Sequence, residues 1–181
     1  MQVRELIALC DAGQLEFSSC IDAVDEDGYT PLHYACMLRV PGIIRALHEA
    51  AADVTAVDNY GFTPLHWAAM QLDEASLGVL CAHLFELDFY DREGRTPLYM
   101  LCVQGRNIHG QTDASVLRNC VATMLTRQPN VNIIDTRGLC VLHYLAASWH
   151  YEAMELMLKA GAEVNMRGGA GDNLAQPLHL A

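Results

Sequence analysis

Eight histidines, seven cysteines and 22 carboxylates are the groups in this 181-residue chain that could ligate a metal, attack a carbonyl or move a proton. Four of the histidines, His33, His66, His143 and His179, recur at the same place in a repeating string. Spaced roughly 10 Å apart by helix packing, they cannot converge on one ion, whose ligands must meet within a few ångströms. His48, His83, His109 and His150 carry no H-E-x-x-H or comparable pattern. Gly168-Gly169-Ala170-Gly171 invites a phosphate-loop reading, but no Lys-Ser/Thr follows it, so a long flexible finger is expected. No G-x-S-x-G elbow and no Cys–His pair in a supporting context is present. Asp25, Asp58, Asp91 and Asp135 each stand three residues before a glycine, which is turn chemistry rather than acid–base chemistry. The expectation is a chain with no enzymatic activity, no metal and no cofactor.

Composition narrows the class further. Half of the residues are apolar, enough to bury a core in one ordinary domain. A formal net charge of −11, with Lys159 the single lysine, does not suit nucleic acid, whose phosphates need clustered cations. Cys10, Cys20, Cys36, Cys81, Cys102, Cys120 and Cys140 are odd in number and widely spaced, with no C-x-x-C pair. Reduced thiols in a cytosolic or nuclear compartment are expected. No apolar run approaches the roughly 18 residues of a membrane span, and Glu5 and Asp11 do not suit a secretory leader.

The elements that must carry these residues announce themselves by repetition. Gly28-Tyr29-Thr30-Pro31-Leu32-His33, Gly61-Phe62-Thr63-Pro64-Leu65-His66 and Gly94-Arg95-Thr96-Pro97-Leu98-Tyr99 follow one another at intervals of 33 residues. Gly138 comes 44 residues after Gly94 and leads to Leu142-His143; Pro177-Leu178-His179 begins a last copy. Within one unit, Thr is a helix N-cap and Pro suits the first helical position. The string therefore predicts a helix from Thr30-Pro31 to about Leu38. A second apolar-periodic stretch follows at Ile43-Ile44 and Leu47, and in the fourth unit at Met154 and Leu156-Met157-Leu158. Helices of two or three turns are unstable alone in water, so stability must come from stacking unit on unit.

These strings, with Lys159-Ala160-Gly161-Ala162-Glu163-Val164-Asn165 after the second helix of the fourth unit, resemble the ankyrin-repeat family over nearly the whole chain. The resemblance implies an all-α solenoid of stacked antiparallel helix pairs with β-turn fingers, the inner helices and fingers forming a concave groove. It also implies that the recurring histidine bonds the neighbouring turn. Residues 1–24 are taken as a degenerate first unit with a helix over 2–12, which precedes four full units: unit one (25–57), unit two (58–90), unit three (91–134) and unit four (135–171). Residues 172–181 begin a truncated unit, as in a piece of a longer repeat protein. The third unit is 11 residues longer than its predecessors, and alignment of Leu98 and Met124 puts the excess near 105–115, as a mobile loop. Where the family ends its first helix with glycine, this chain has Arg39, Leu72 and Trp149, and only Gly105 keeps it. In the fourth unit Cys140-Val141 replaces Thr-Pro, a weakly encoded helix start.

By the same resemblance, a partner contacts the variable finger and inner-helix positions. One row precedes the helix caps: Tyr29, Phe62, Arg95 and Leu139. A second follows the repeated histidine or Tyr99: Tyr34, Trp67, Met100 and Tyr144, although packing between units is the favoured reading for Tyr34, Trp67 and Tyr144. A third contributes Met37 and Met70, and the fingertips add Asn59, Tyr60, Arg92 and Arg137. Aromatic and methionine side chains are what an interface core uses. The expected function is protein–protein interaction, as a scaffold or adaptor that binds a peptide or loop in the groove. The alternative is a regulatory segment that docks on a catalytic, lipid-binding or channel domain of the same protein.

Overall fold

The computed structural model describes residues 21–104 and 114–166. The expected helix over 2–12, Gly105, the Gly168–Gly171 finger, the last copy at Pro177 and His179 lie outside them. Among the described residues the chain forms helices and no strand, with a single isolated bridge between Ile134 and Cys140. Four helix pairs follow in order: α1 (Pro31–Met37) and α2 (Pro41–Glu49), α3 (Pro64–Met70) and α4 (Glu74–His83), α5 (Pro97–Gln104) and α6 (Ala114–Leu125), α7 (Val141–Ala147) and α8 (Tyr151–Lys159). The odd-numbered helices pack on one another along the stack, and so do the even-numbered ones. This is a helical solenoid. None of these helices is long and apolar enough to cross a membrane.

The first helix of each pair starts as its local chemistry dictates. Thr30 and Thr63 sit at the N-caps with extended backbone, and Pro31 and Pro64 open the helices. The fourth unit makes the same start without Thr-Pro. Cys140 takes the threonine's place, its Sγ 3.0 Å from His143 Nδ1 and its N–H donating to the same ring nitrogen at 3.1 Å. A thiol fills the space of the hydroxyl, so α7 starts at the equivalent residue. The second helix of the long third unit begins at Ala114, so the last two residues assigned to the insert, Ala114 and Ser115, belong to the first turn of α6. Residues 105–113 lie outside the described chain.

The core is one column of equivalent side chains. Leu32, Leu65, Leu98 and Leu142 from the inner helices are buried together with Leu47, Leu80, Met124 and Met157 from the outer ones. Cys36 and Cys102 stand one turn after Leu32 and Leu98, where neighbouring helices leave room only for a small side chain, as at Ala69 and Ala146. The turns from inner to outer helix are left-handed at Arg39, Leu72 and Trp149, with φ of 57°, 51° and 59°. Each lacks the glycine that would adopt this conformation freely, at a cost of roughly 1–2 kcal/mol. Arg39 recovers part of it by donating to the Gln71 carbonyl of the next turn.

The finger glycines divide by their surroundings. Gly28 has φ +82°, and a Cβ there would lie 2.9 Å from the Asn59 backbone nitrogen of the next finger; Gly94 has φ +73° with nothing near its missing Cβ. Urea denaturation should therefore show Gly94→Ala losing about 1–2 kcal/mol, the left-handed penalty alone. Gly28→Ala should lose clearly more, because two fingers must also move apart. Equal losses would mean that the fingers are not in register as described.

Candidate functional site

Four aspartates build the four fingers in one way. The Asp25 Oδ1 accepts the N–H groups of Asp27 and Tyr29; Asp58 accepts those of Tyr60 and Phe62, Asp91 those of Glu93 and Arg95, and Asp135 those of Arg137 and Leu139, all at 2.8–3.0 Å. Each aspartate carbonyl also accepts from the glycine three residues on. The second carboxylate oxygen is directed at the inner helix of the same unit. It accepts from the Tyr34 hydroxyl at Asp25, from Trp67 Nε1 (2.9 Å) at Asp58 and from the Tyr144 hydroxyl (3.0 Å) at Asp135. These donors all stand nine residues after their aspartate. The third unit has Met100 at that place, which cannot donate, and Arg95 Nε takes over at 2.7 Å. The spacing was present in the sequence, but pairing across a turn is not visible in a local pattern.

A second set of bonds joins each unit to the next. His33 Nδ1 accepts the Thr30 N–H (3.0 Å), so the ring proton sits on Nε2, which donates to the Phe62 carbonyl (3.0 Å). His66 does the same from Thr63 to the Arg95 carbonyl (3.3 Å). Tyr99 replaces the histidine in the third unit, and its longer side chain reaches past the backbone to Asp135 Oδ2 at 2.7 Å. The ladder is structural: its rings are buried and committed at Nδ1. Burial holds His66 well below the ordinary histidine range, at about 4, against the opposing pull of its bond to the Arg95 carbonyl. Burial lowers His33 in the same direction.

The candidate contact residues separate into an accessible and a covered group. Tyr29 meets Tyr34 and Trp67 edge-on, both at 5.6 Å, and Phe62 meets Trp67 edge-on at 5.8 Å, with Tyr60 stacked on Phe62 at 6.3 Å. Tyr29, Tyr34, Phe62 and Trp67 are half-buried and Tyr60 is 51% exposed, so units one and two present a continuous aromatic face. Met37 and Met70 lie half-buried on the same inner helices. Asn59 is exposed, with its side chain donating to the Glu26 carbonyl and so tying two fingertips together. Arg92 and Arg137 are exposed, and Arg95 and Leu139 half-buried.

Met100 and Tyr144 are each 5% exposed and cannot form part of a contact surface. Tyr99 packs edge-on against Tyr144 at 5.3 Å, and the Arg137 guanidinium lies over the Tyr144 ring and donates to its hydroxyl. Both side chains are thus packed inside the stack in units three and four.

Other reactive groups are spoken for. Cys140 and His143 do form a Cys–His pair, which the sequence pattern did not reveal, but it is the helix cap, and burial pushes the thiol up. Burial also pushes Cys81 to about 11 and Cys102 and Cys120 to about 12. Thiols in that range are not nucleophiles at neutral pH. Among the described residues no cluster of three or more His, Cys, Asp or Glu could hold a metal ion. Two shallow cavities lie between the outer helices, one lined by Arg45, Gly78 and His83 and the other by Gly78, Thr123 and Arg127. Arg127 itself donates to the Cys81 and Ala82 carbonyls (both 2.6 Å), closing the end of α4.

A family model of ankyrin repeats in three copies matches residues 2–83, and a model of the single ankyrin repeat matches residues 137–169. No curated protein matches the chain.

The buried histidines link stability to pH. His66 binds its proton more weakly folded than unfolded, so its contribution is complete above about pH 6.5 and is lost as pH falls towards 4. Thermal unfolding should show roughly 2 kcal/mol lost from this residue between pH 7 and pH 5. The His66→Gln variant should be less stable at pH 7 and show a shallower acid dependence. An unchanged slope would contradict the neutral, buried ring.

Proposed function

This chain belongs to the ankyrin-repeat family, whose repeats generally serve as protein–protein interaction modules, and we propose that its partner docks on the finger and inner-helix face of units one and two. The observation that carries this reading is the aromatic face of Tyr29, Tyr34, Tyr60, Phe62 and Trp67. Two of its members, Tyr34 and Trp67, are held by their own finger aspartates. Side chains fixed before binding lose little entropy on association, and Tyr and Trp are the residue types that dominate binding energy at interfaces. The partner is a peptide or an extended loop, bound by a chain that acts as a scaffold or adaptor and performs no chemistry on it. Arg95 lies over Phe62 and Arg137 over Tyr144, which leaves Tyr29, Tyr34 and Trp67 of units one and two as rings with no arginine over them among the described residues.

Peptides selected from a displayed random library on the 181-residue chain test this reading. Tyr29→Ala with Phe62→Ala should weaken the selected peptides at least tenfold, since anchor truncation costs about 1–4 kcal/mol per residue. Tyr151→Ala, at an exposed residue of α8, should leave them unchanged. Selected peptides that bind the double variant as well as the parent chain would place the contact elsewhere.

A further inference from the structure

An arginine held against finger carboxylates and an aromatic ring occurs twice within the chain, and unit one offers the same groups without the arginine. In the third unit the Arg95 guanidinium lies 5.9 Å from the Phe62 ring centre, with Nε 2.7 Å from Asp91 Oδ2 and a second nitrogen 2.9 Å from Glu93. In the fourth, Arg137 lies 5.8 Å from the Tyr144 ring centre, with Nε 3.1 Å from Asp135 Oδ2. Each arginine is held between finger carboxylates and an aromatic face. Unit one has the carboxylates and the rings without an arginine; in unit two Arg95 covers Phe62, and Trp67 beside Asp58 has no arginine over it among the described residues. The positions equivalent to Arg95 are Tyr29 and Phe62, and those equivalent to Arg137 are Asp27 and Tyr60.

The charge around the open places is one-sided. Asp22, Asp25, Glu26 and Asp27 are exposed at the first finger, and no lysine or arginine occurs between residues 21 and 38. Asp53 and Asp58 follow at the second, again with no cation between 53 and 67. Later fingers are nearly balanced, because Arg92, Arg95 and Arg137 stand among their carboxylates.

We infer that units one and two take an arginine-bearing basic segment of the partner, with a guanidinium seated on the Tyr29–Tyr34 face against the carboxylates of Asp25, Glu26 and Asp27. The inference rests on the interaction reading above and adds the chemistry of the partner. The bond from Tyr34 to Asp25 does not block the site. Asp135 accepts from Tyr144 in the same way and still pairs with Arg137. Arginine fits better than lysine because its planar fork stacks on a ring while pairing with a carboxylate at its edge. The chain's negative charge steers such a segment towards this end.

Fluorescence anisotropy with the full chain tests it, using labelled Arg-Gly-Ser repeat peptides of about 12 residues and their lysine and citrulline counterparts. The arginine peptide should bind several-fold tighter than the lysine peptide, and the citrulline peptide, isosteric but neutral, should not bind. Reversal of the fingertip charges, Glu26→Lys with Asp27→Lys, should weaken the arginine peptide about tenfold at low salt. The same charge change on α8, Glu152→Lys with Glu155→Lys, should shift it less than about twofold. Equal loss from both pairs, or equal binding of arginine and lysine peptides, would overturn the inference as mere attraction to net charge. If library-selected peptides need Tyr29 and Phe62 but the arginine peptide does not bind, this inference fails and the interaction reading stands. If neither kind of peptide needs those residues, both fail.

Discussion

The bonds that cross from the first three inner helices to the next finger make one body of four helix pairs. A helix of seven residues such as α1 or α3 forms too few internal hydrogen bonds to repay its own ordering. It gains the rest from a buried leucine column and from His33, His66 and Tyr99, which reach forward to the Phe62 and Arg95 carbonyls and to the Asp135 carboxylate. Those acceptors are in place because the finger aspartates have already closed their turns around two backbone N–H groups each. Finger, helix start and cross-unit bond are thus a single hydrogen-bonded system, repeated along the stack with changes of side chain but not of role.

The same system sets what the surface can do. An aspartate that closes a finger with one oxygen offers the other to a tyrosine or tryptophan on the inner helix, and so fixes an aromatic ring beside a carboxylate. In the fourth unit Arg137 and the Tyr99 ring cover that pair, in the third Met100 replaces the ring and Arg95 takes its bond, and in the first two units no arginine pairs with it. The face therefore has a direction, acidic and aromatic at one end, self-neutralised at the other, and it is built from bonds that the fold needs in any case.

The parts legible in the sequence are those encoded locally. Thr-Pro marks a helix start because capping and a fixed φ are properties of adjacent residues, and the 33-residue interval marks stacking because each unit repeats the same solution. The donors nine residues after each aspartate escaped notice, since their partner lies across a turn and their types vary between Tyr, Trp and Met. Cys140-Val141 encodes its helix start only weakly because thiol and hydroxyl differ in preference, although they occupy the same space at a cap. Met100 and Tyr144 stand by position in the second row of candidate contacts, for which packing between units is the rival reading. Their burial follows from neighbours in the third and fourth units that no periodicity predicts. Arg127, which closes α4 from a different unit, carried no local signal at all.

A double-mutant cycle between Tyr99 and Asp135 tests the cross-unit bond most directly, because the two residues belong to different units and meet in a buried contact. Unfolding free energies of Tyr99→Phe, Asp135→Asn and the double variant should give a coupling of about 1–2 kcal/mol. Losses that add to within roughly 0.3 kcal/mol would contradict the claim that the units are tied through their fingers.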